Sequence, residues 1–317
     1  MLTFSDIETA YRILKPVVHK TPLLSSRTFN QQNGNEVYFK AENFQRIGAF
    51  KFRGAYNKIS SLTEEEKKRG IVAHSSGNHA QGVALACKLF SIKATIVMPH
   101  NSVKNKVEAT KGYGAEVIFC EDSTDAREQT TDEFIKKHGY TLIHPYNDEK
   151  LIAGQGTLVL EIFHEFKDLD YLFVPIGGGG LISGCALAAK NLFSNVKVIG
   201  VETEGANDAY QSFHEKRIVK LQSCNTIADG MRTLSIGTLN FEIIQRYVDD
   251  VITIKDEDIF PMMKFFLERM KIIVEPTGAV APAAVMTNRS NITGKKICAV
   301  ISGGNVDPNL LQRLLAN

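Results

Sequence analysis

Apolar positions along this chain switch repeatedly between a helical and a strand period. Phe4, Ile7, Tyr11 and Leu14 share one helical face, so residues 3–15 read as an opening amphipathic helix. Thr21-Pro22-Leu23 breaks to an extended segment, and Val37-Tyr38-Phe39-Lys40 reads as a strand. Residues 60–70 predict a short helix, with Thr63 and Glu66 in capping-box spacing and Gly70 after the last turn. Strand and helix patterns then alternate. Strands are expected at 71–73, 94–98, 116–120 and 141–144, with helices at 80–90, 102–111 and 124–137 between them. These four strands are enough for a small parallel sheet of their own. The second half repeats the alternation: helix 148–166, strand 171–176, helix 181–193, strand 196–201, a loop, helices 238–246 and 255–271, strand 296–301 and a short final helix. The pattern predicts an α/β fold with two open, mostly parallel, twisted sheets. Residues 71–146 would form a small mobile domain, and residues 1–70 with 147–317 a large one.

Parallel sheets gather ligands at the carboxyl ends of their strands. Three polar, glycine-containing loops fall at such ends: 75–79, 177–180 and 302–305. Gly177, Gly178, Gly179 and Gly180 stand between an apolar strand and a helical run. Without Cβ atoms their N–H groups can converge on an anion, and the helix start adds about half a positive charge. Leu181-Ile182 rules out a Walker loop, and four adjacent glycines fit a dinucleotide fingerprint poorly, although Glu202 follows Gly180 by 22 residues. A compact monophosphate suits the loop better; a glycine-rich turn without a ligand is the plainer reading. Lys51 lies between Phe50 and Phe52. It reads either as a surface lysine whose stem covers an apolar helix start or as a desolvated amine able to form a Schiff base. A phosphate loop together with such a lysine suggests pyridoxal 5′-phosphate (PLP).

Composition narrows the setting. The 317 residues are 44% hydrophobic and 23% charged, as in a soluble globular protein. With 37 basic and 35 acidic residues the net charge is +2, and no basic stripe marks a nucleic-acid binder. The uncharged run 171–189 is interrupted by Pro175 and the four glycines, which argues against a membrane span. Asp6 and Glu8 fall where a secretory signal would be apolar, and five scattered cysteines suit reduced thiols, so a cytoplasmic protein is expected.

Several stretches together then become diagnostic. Glu42-Asn43-Phe44-Gln45, Gly48-Ala49-Phe50-Lys51-Phe52-Arg53-Gly54, Ser75-Ser76-Gly77-Asn78-His79, Ala153-Gly154-Gln155-Gly156-Thr157, the tetraglycine and Ser302-Gly303-Gly304-Asn305 resemble the PLP-dependent serine/threonine dehydratase and serine racemase family, in order and over nearly the whole chain. The resemblance implies a fold type II PLP enzyme with the cofactor between its large and small domains. It makes Lys51 the Schiff-base lysine and Cα acid–base, with Phe50 packed on the ring and Asn78 at the ring oxygen. Gly177 to Gly180 would hold the phosphate, and Ser302 would face the pyridine nitrogen. Ser302, unlike an aspartate, would not force that nitrogen to stay protonated, which weakens the ring as an electron sink. Ser75, Ser76 and Gly77 would bind the substrate carboxylate. Ser76 is also the candidate second acid–base of a racemase; its alternative is a helix cap.

Within the family, the chain's end soon after Asn305 matches members without a regulatory domain. Glu202, Ala206 and Asp208 resemble a divalent-cation site, for which two carboxylates, a carbonyl and waters suit Mg²⁺ or Ca²⁺; an acidic surface loop is the alternative. Ser26, Gln81 and Tyr113 match positions of an ATP activator site between subunits, although Arg27 and Ile47 depart from the pattern. The expectation is a homodimer or higher homo-oligomer that converts L-serine, L-threonine or 3-hydroxyaspartate to a 2-oxo acid and ammonia, with serine racemase activity alongside. A β-replacement synthase of the cysteine synthase type and a non-catalytic nucleotide-binding module are the alternatives.

Overall fold

The computed structural model describes residues 1–288 and 291–316. Strands β1 (Leu23–Ser25) and β2 (Glu36–Ala41) come first. Next are β3 (Ile71–His74), β4 (Ala94–Pro99), β5 (Glu116–Cys120) and β6 (Thr141–Leu142). Then follow β7 (Tyr171–Pro175), β8 (Lys197–Thr203), β9 (Asp250–Ile254) and β10 (Lys296–Ile301). Two sheets result, one ordered β1-β2-β10-β7-β8-β9 and the other β5-β4-β3-β6. Only the edge pair β1–β2 is antiparallel among the described strands. Parallel strands need crossovers on both faces, and their continuous apolar sequences reflect burial on both sides.

The capping box forms as expected: Glu66 N donates to Thr63 Oγ1 at 3.2 Å, and Thr63 N donates to Glu66 Oε2 at 2.8 Å. The helical segment expected over 60–70 is divided, however. Ser60 ends the helix Lys51–Ser60, and a second helix, Glu64–Arg69, begins after the cap. The strand expected over 141–144 stops at Leu142. Beyond it, His144 Nδ1 accepts the N–H groups of Tyr146 and Asn147 at 3.2 and 2.9 Å and turns the chain.

Helix Glu149–Glu165 lies at the crossing of Lys51–Ser60 and Gly180–Leu192, and glycines set the approach. A Cβ at Gly184 would meet Ile152 O at 2.3 Å and Gly156 N at 2.6 Å. One at Gly154 would meet Arg53 O at 2.7 Å. The stretch Ala153–Thr157 is therefore a backbone-to-backbone packing surface. It fixes the Lys51 helix and the tetraglycine helix relative to one another.

Candidate active site

Lys51 opens its helix and is pinned from both sides. Ile47 and Gly48 take successive left-handed conformations, with φ of 61° and 71°. A β-branched residue rarely adopts that region unless its surroundings impose it. Here Asn305 Nδ2 donates to Ile47 O at 2.7 Å, Gly304 N to Gly48 O at 2.9 Å and Phe50 N to Ser302 O at 3.1 Å. On the far side, Arg53 is wholly buried. Its guanidinium donates to Glu42 Oε2 at 2.8 Å and Glu161 Oε1 at 2.7 Å, while Lys40 Nζ reaches Glu161 Oε2 at 2.6 Å. Two cations and two anions cancel, which is the condition under which such burial is tolerable.

Lys51 reaches into a cavity of about 730 Å³ lined by Phe50, Ser75 to His79, Gly177 to Gly180 and Ser302. All three polar loops thus meet at one crevice. Its Nζ donates to Pro145 O at 2.8 Å and sits 5.2 Å from the centre of the Phe50 ring. Burial pushes the amine down to about 8. The amine faces this cavity and bonds its wall, which goes against the surface-lysine alternative. His74 and His144 line the same cavity and are pushed down to about 4, chiefly by burial, so both are neutral at physiological pH.

The tetraglycine is held from behind and open in front. A Cβ at Gly178 would fall 2.2 Å from the Tyr146 ring, and one at Gly179 would meet Asn240 Cβ at 2.8 Å. Gly179 also has φ of +93°. Asn240 Nδ2 donates to Gly178 O at 2.8 Å and to Tyr146 O at 3.1 Å. Among the described residues nothing accepts the N–H groups of Gly177, Gly178 and Gly179, which line the cavity at the start of a 13-residue helix. Unanswered donors at a helix start fit a phosphate. Together with the lysine and the apolar Phe50, the residues present fit PLP.

Gly77 is the cap residue of helix Asn78–Leu89, and no side chain caps it. Ser75 Oγ instead accepts Gly77 N at 3.2 Å, and Ser76 makes no hydrogen bond among the described residues while lining the cavity. The helix-cap alternative for Ser76 therefore fails. Asn78 is held at both ends of its amide: Asn305 Nδ2 donates to its Oδ1 at 2.9 Å, and its Nδ2 donates to Glu275 Oε1 at 2.5 Å. Ser302 is buried and hydroxyl-bearing, with Oγ donating to Thr277 O at 3.4 Å.

Glu202 and Asp208 are both fully buried, which overturns the surface-loop alternative. Glu202 accepts the N–H groups of Ala209 and Tyr210 at 3.2 and 2.7 Å, but the Asp208 carboxylate oxygens accept no well-formed hydrogen bond among the described residues, only weak approaches of the Asp208 and Ile236 backbone. Burial pushes Asp208 up to about 7; burial and the Asp208 charge push Glu202 well above the carboxylate range. Ala206 lies on the connecting turn, its N–H donating to Thr203 O at 3.0 Å. No cluster of three or more acidic, histidine or cysteine side chains suited to a metal occurs among the described residues.

Ser26 caps the helix Arg27–Asn33 and lines a separate hollow of about 340 Å³ with Phe44 and Arg269. Gln81 and Tyr113 belong to the four-stranded unit and line neither cavity.

Sequence reasoning gave no role to Glu275, Lys106, Asn240, Tyr146 or the Asn305 side chain. The Asn305 motif was visible, but its partners lie more than 200 residues away in the chain.

A half-buried lysine, its amine pKa lowered by desolvation, facing an open phosphate cradle at strand carboxyl ends defines an α/β enzyme that works through a bound phosphate cofactor. The family model for pyridoxal-phosphate dependent enzymes matches residues 14–303, and the chain belongs to that family. It is 47% identical over 305 residues to the L-threo-3-hydroxyaspartate ammonia-lyase of Saccharomyces cerevisiae, covering 96% of this chain and 94% of the relative. The same identity and coverage hold for the serine racemase of Schizosaccharomyces pombe. The solved structure of maize serine racemase superposes with a TM-score of 0.95 at 41% identity, over 99% of this chain and 97% of that one. The fold is that of the fold type II PLP enzymes. Among the described residues no helix is long and apolar enough to cross a membrane.

Proposed function

We propose that this protein is a PLP-dependent ammonia-lyase for small β-hydroxy amino acids (L-serine, L-threonine or 3-hydroxyaspartate), with serine racemisation as a second outcome at the same site. The observation that carries it is the Lys51 amine, depressed to about 8, facing the cavity shared by the glycine loop and the Ser75–Gly77 loop. When bound, PLP supplies a carbonyl for the substrate amine and a ring that withdraws electrons from Cα. Gly177, Gly178, Gly179 and Gly180 would hold the phosphate, the first three through N–H groups that nothing else among the described residues accepts. Asn78 and Phe50 would orient the ring, and Ser302 would offer its nitrogen a neutral partner. Ser75, Ser76 and Gly77 take the substrate carboxylate, which places Cα before Lys51.

Lys51 then removes the Cα proton. Loss of that proton and of the β-hydroxyl as water leaves an enamine, whose hydrolysis yields the 2-oxo acid and ammonia. Return of a proton from the opposite face, by Ser76, gives the D-amino acid. In this account residues 71–146 close as a small domain over 1–70 and 147–317 and exclude water.

A divalent cation at Glu202, Ala206 and Asp208 completes the reading, supported by the Asp208 oxygens, which accept no well-formed hydrogen bond among the described residues. Exposed Phe44 and Ile273, neighbours through the 3.2 Å Asn43 Nδ2 to Ile273 O bond, suit the face of a homodimer or higher homo-oligomer. ATP at Ser26, Gln81 and Tyr113 would need such a second copy to complete the site. The setting is cytoplasmic.

The test is a substrate panel with 2-oxo acid and D-amino acid both measured, beside visible absorption of the bound cofactor in wild type and Lys51→Ala. The reading expects colour and 2-oxo acid from wild type alone. Sulfide-dependent cysteine formation without 2-oxo acid would favour β-replacement, and an uncoloured wild type would overturn the cofactor assignment.

A further inference from the structure

Lys106 is a buried cation of the cavity wall to which the reaction above assigns no work. It is 4% exposed, on the helix Lys104–Gly112 that follows β4. Its amine leaves the four-stranded unit, lying 2.5 Å from Asp229 Oδ2 and 3.3 Å from Glu275 Oε2. The neighbouring Asn105 crosses the same way, donating to Val306 O at 3.2 Å. Glu275 is itself 1% exposed, and its other oxygen accepts Asn78 Nδ2. An ionised carboxylate can only accept, so Asn78 must turn its NH₂ toward Glu275. Asn305 Nδ2, a donor, meets the Asn78 oxygen from the other side. One amide orientation satisfies both neighbours, and it leaves one Asn78 N–H uncommitted.

We propose that Lys106 is a positioning residue for the cofactor: it keeps Glu275 an anion, and Glu275 in turn fixes the Asn78 amide with an N–H available to the ring. This rests on the reading that places Asn78 against PLP. Four groups face Glu275: Lys106, Asp229, Asn78 and the Gly303 backbone, whose carbonyl accepts Glu275 N at 3.2 Å. Burial is the largest influence and, with the Asp229 charge, lifts Glu275 above its ordinary carboxylate value; Lys106 opposes both and limits that rise. Burial also works against the Lys106 charge, but Glu275 and Asp229 outweigh it and hold the amine above its ordinary range. Without Lys106 the carboxyl takes up a proton and can donate as well as accept. The Asn78 amide is then free to turn over.

The experiment titrates apo-protein with PLP, followed by visible absorption, with apo-protein melting measured alongside. Lys106→Met is expected to weaken PLP binding about tenfold, the scale of one charge-assisted hydrogen bond. Its affinity should recover as pH rises and Glu275 ionises, more steeply than the rise that Lys51 alone gives the wild type. Lys106→Arg should keep most of the affinity. Glu275→Gln reads the same link from the other end and should lose affinity to a similar degree, which covers a Lys106→Met that fails to fold. The Lys106→Met/Glu275→Gln double variant removes the buried Glu275 carboxyl and leaves only the partly exposed Asp229 without its cation, so it should regain part of the melting temperature but not the affinity. A double variant that regains both makes Lys106 a mere counter-ion and overturns the proposal, as does a Lys106→Met protein that binds PLP like wild type at every pH. If wild type takes up no PLP at all, the underlying cofactor reading falls too.

Discussion

Lys51 is mainly an ammonium at neutral pH, yet its desolvated position brings the neutral form within reach. With its value near 8 rather than the usual 10.5, the neutral fraction grows as pH rises through about 8 and then saturates. The rate of PLP uptake by apo-protein is therefore expected to climb up to about pH 8 and level off above it, as stopped-flow absorbance would show; a climb continuing toward pH 10 would refute the depressed amine. Lys51→Ala is expected to lower turnover by at least roughly 10³-fold, the middle of the range for a positioned acid–base group. Ser76 poses a separate question. Its hydroxyl lines the cavity and caps no helix. Racemisation needs a proton donor on the face opposite the lysine, whereas elimination does not. Ser76→Ala is therefore expected to lose D-serine while 2-oxo acid formation survives, measured by chiral chromatography beside product release. Equal loss of both products from a folded, PLP-loaded variant would assign Ser76 to substrate binding alone.

Helix packing transmits the site's precision. Gly184→Ala would set a methyl 2.3 Å from Ile152 O, against backbone that cannot move aside cheaply. The expected cost is about 1–3 kcal/mol in urea unfolding, typical of overpacking. PLP affinity should fall as well, because the same helix begins at Gly180. The elements were legible wherever one face differs from the other. The opening helix Phe4–Leu14 and strand Glu116–Cys120 are such cases, the second matching its expected bounds. Helix Pro276–Met286 was not legible because it is buried all round and carries Gly278 and Pro282, so it has no polar face to mark a period. Helix Asp208–Glu215 was hidden in what read as a loop, and strand Asp250–Ile254 fell unmarked between two expected helices; each is short and joined to its neighbours by polar residues. The site divides likewise. Lys51, the glycines and Ser75–Asn78 sit in contiguous motifs. The Lys106–Asp229–Glu275 contact joins residues from three distant segments and leaves no local trace.

For the molecule as a whole, the paired Glu202 and Asp208 make stability depend on what lies between them. Free of a cation, their folded pKa values stand above the ordinary carboxylate value of about 4, Asp208 near 7. The folded state then binds more protons than the unfolded one, so stability falls as pH rises from about 4 through 7. EDTA-treated protein is thus expected to melt lower at about pH 8 than at about pH 6. Mg²⁺ should raise the melting temperature and flatten that slope, since a ligand of the native state stabilises it. Asp208→Ala should abolish the response to both reagents. A wild-type melting curve indifferent to EDTA and Mg²⁺ would remove the cation from this loop.

The buried quartet of Lys40, Glu42, Arg53 and Glu161 also constrains how this molecule can change over generations. Each single loss leaves an uncompensated charge in the core, at about 3–5 kcal/mol. That is a large part of the 5–15 kcal/mol by which a typical domain is stable. An apolar replacement of the whole group is physically acceptable, but every one-step route to it passes through a destabilised intermediate. Arg53 is thereby held in place by the landscape around it rather than by chemistry, although it stands two positions from Lys51. A library that varies the four positions together is expected to recover folded, PLP-binding chains that no scan of single substitutions would find.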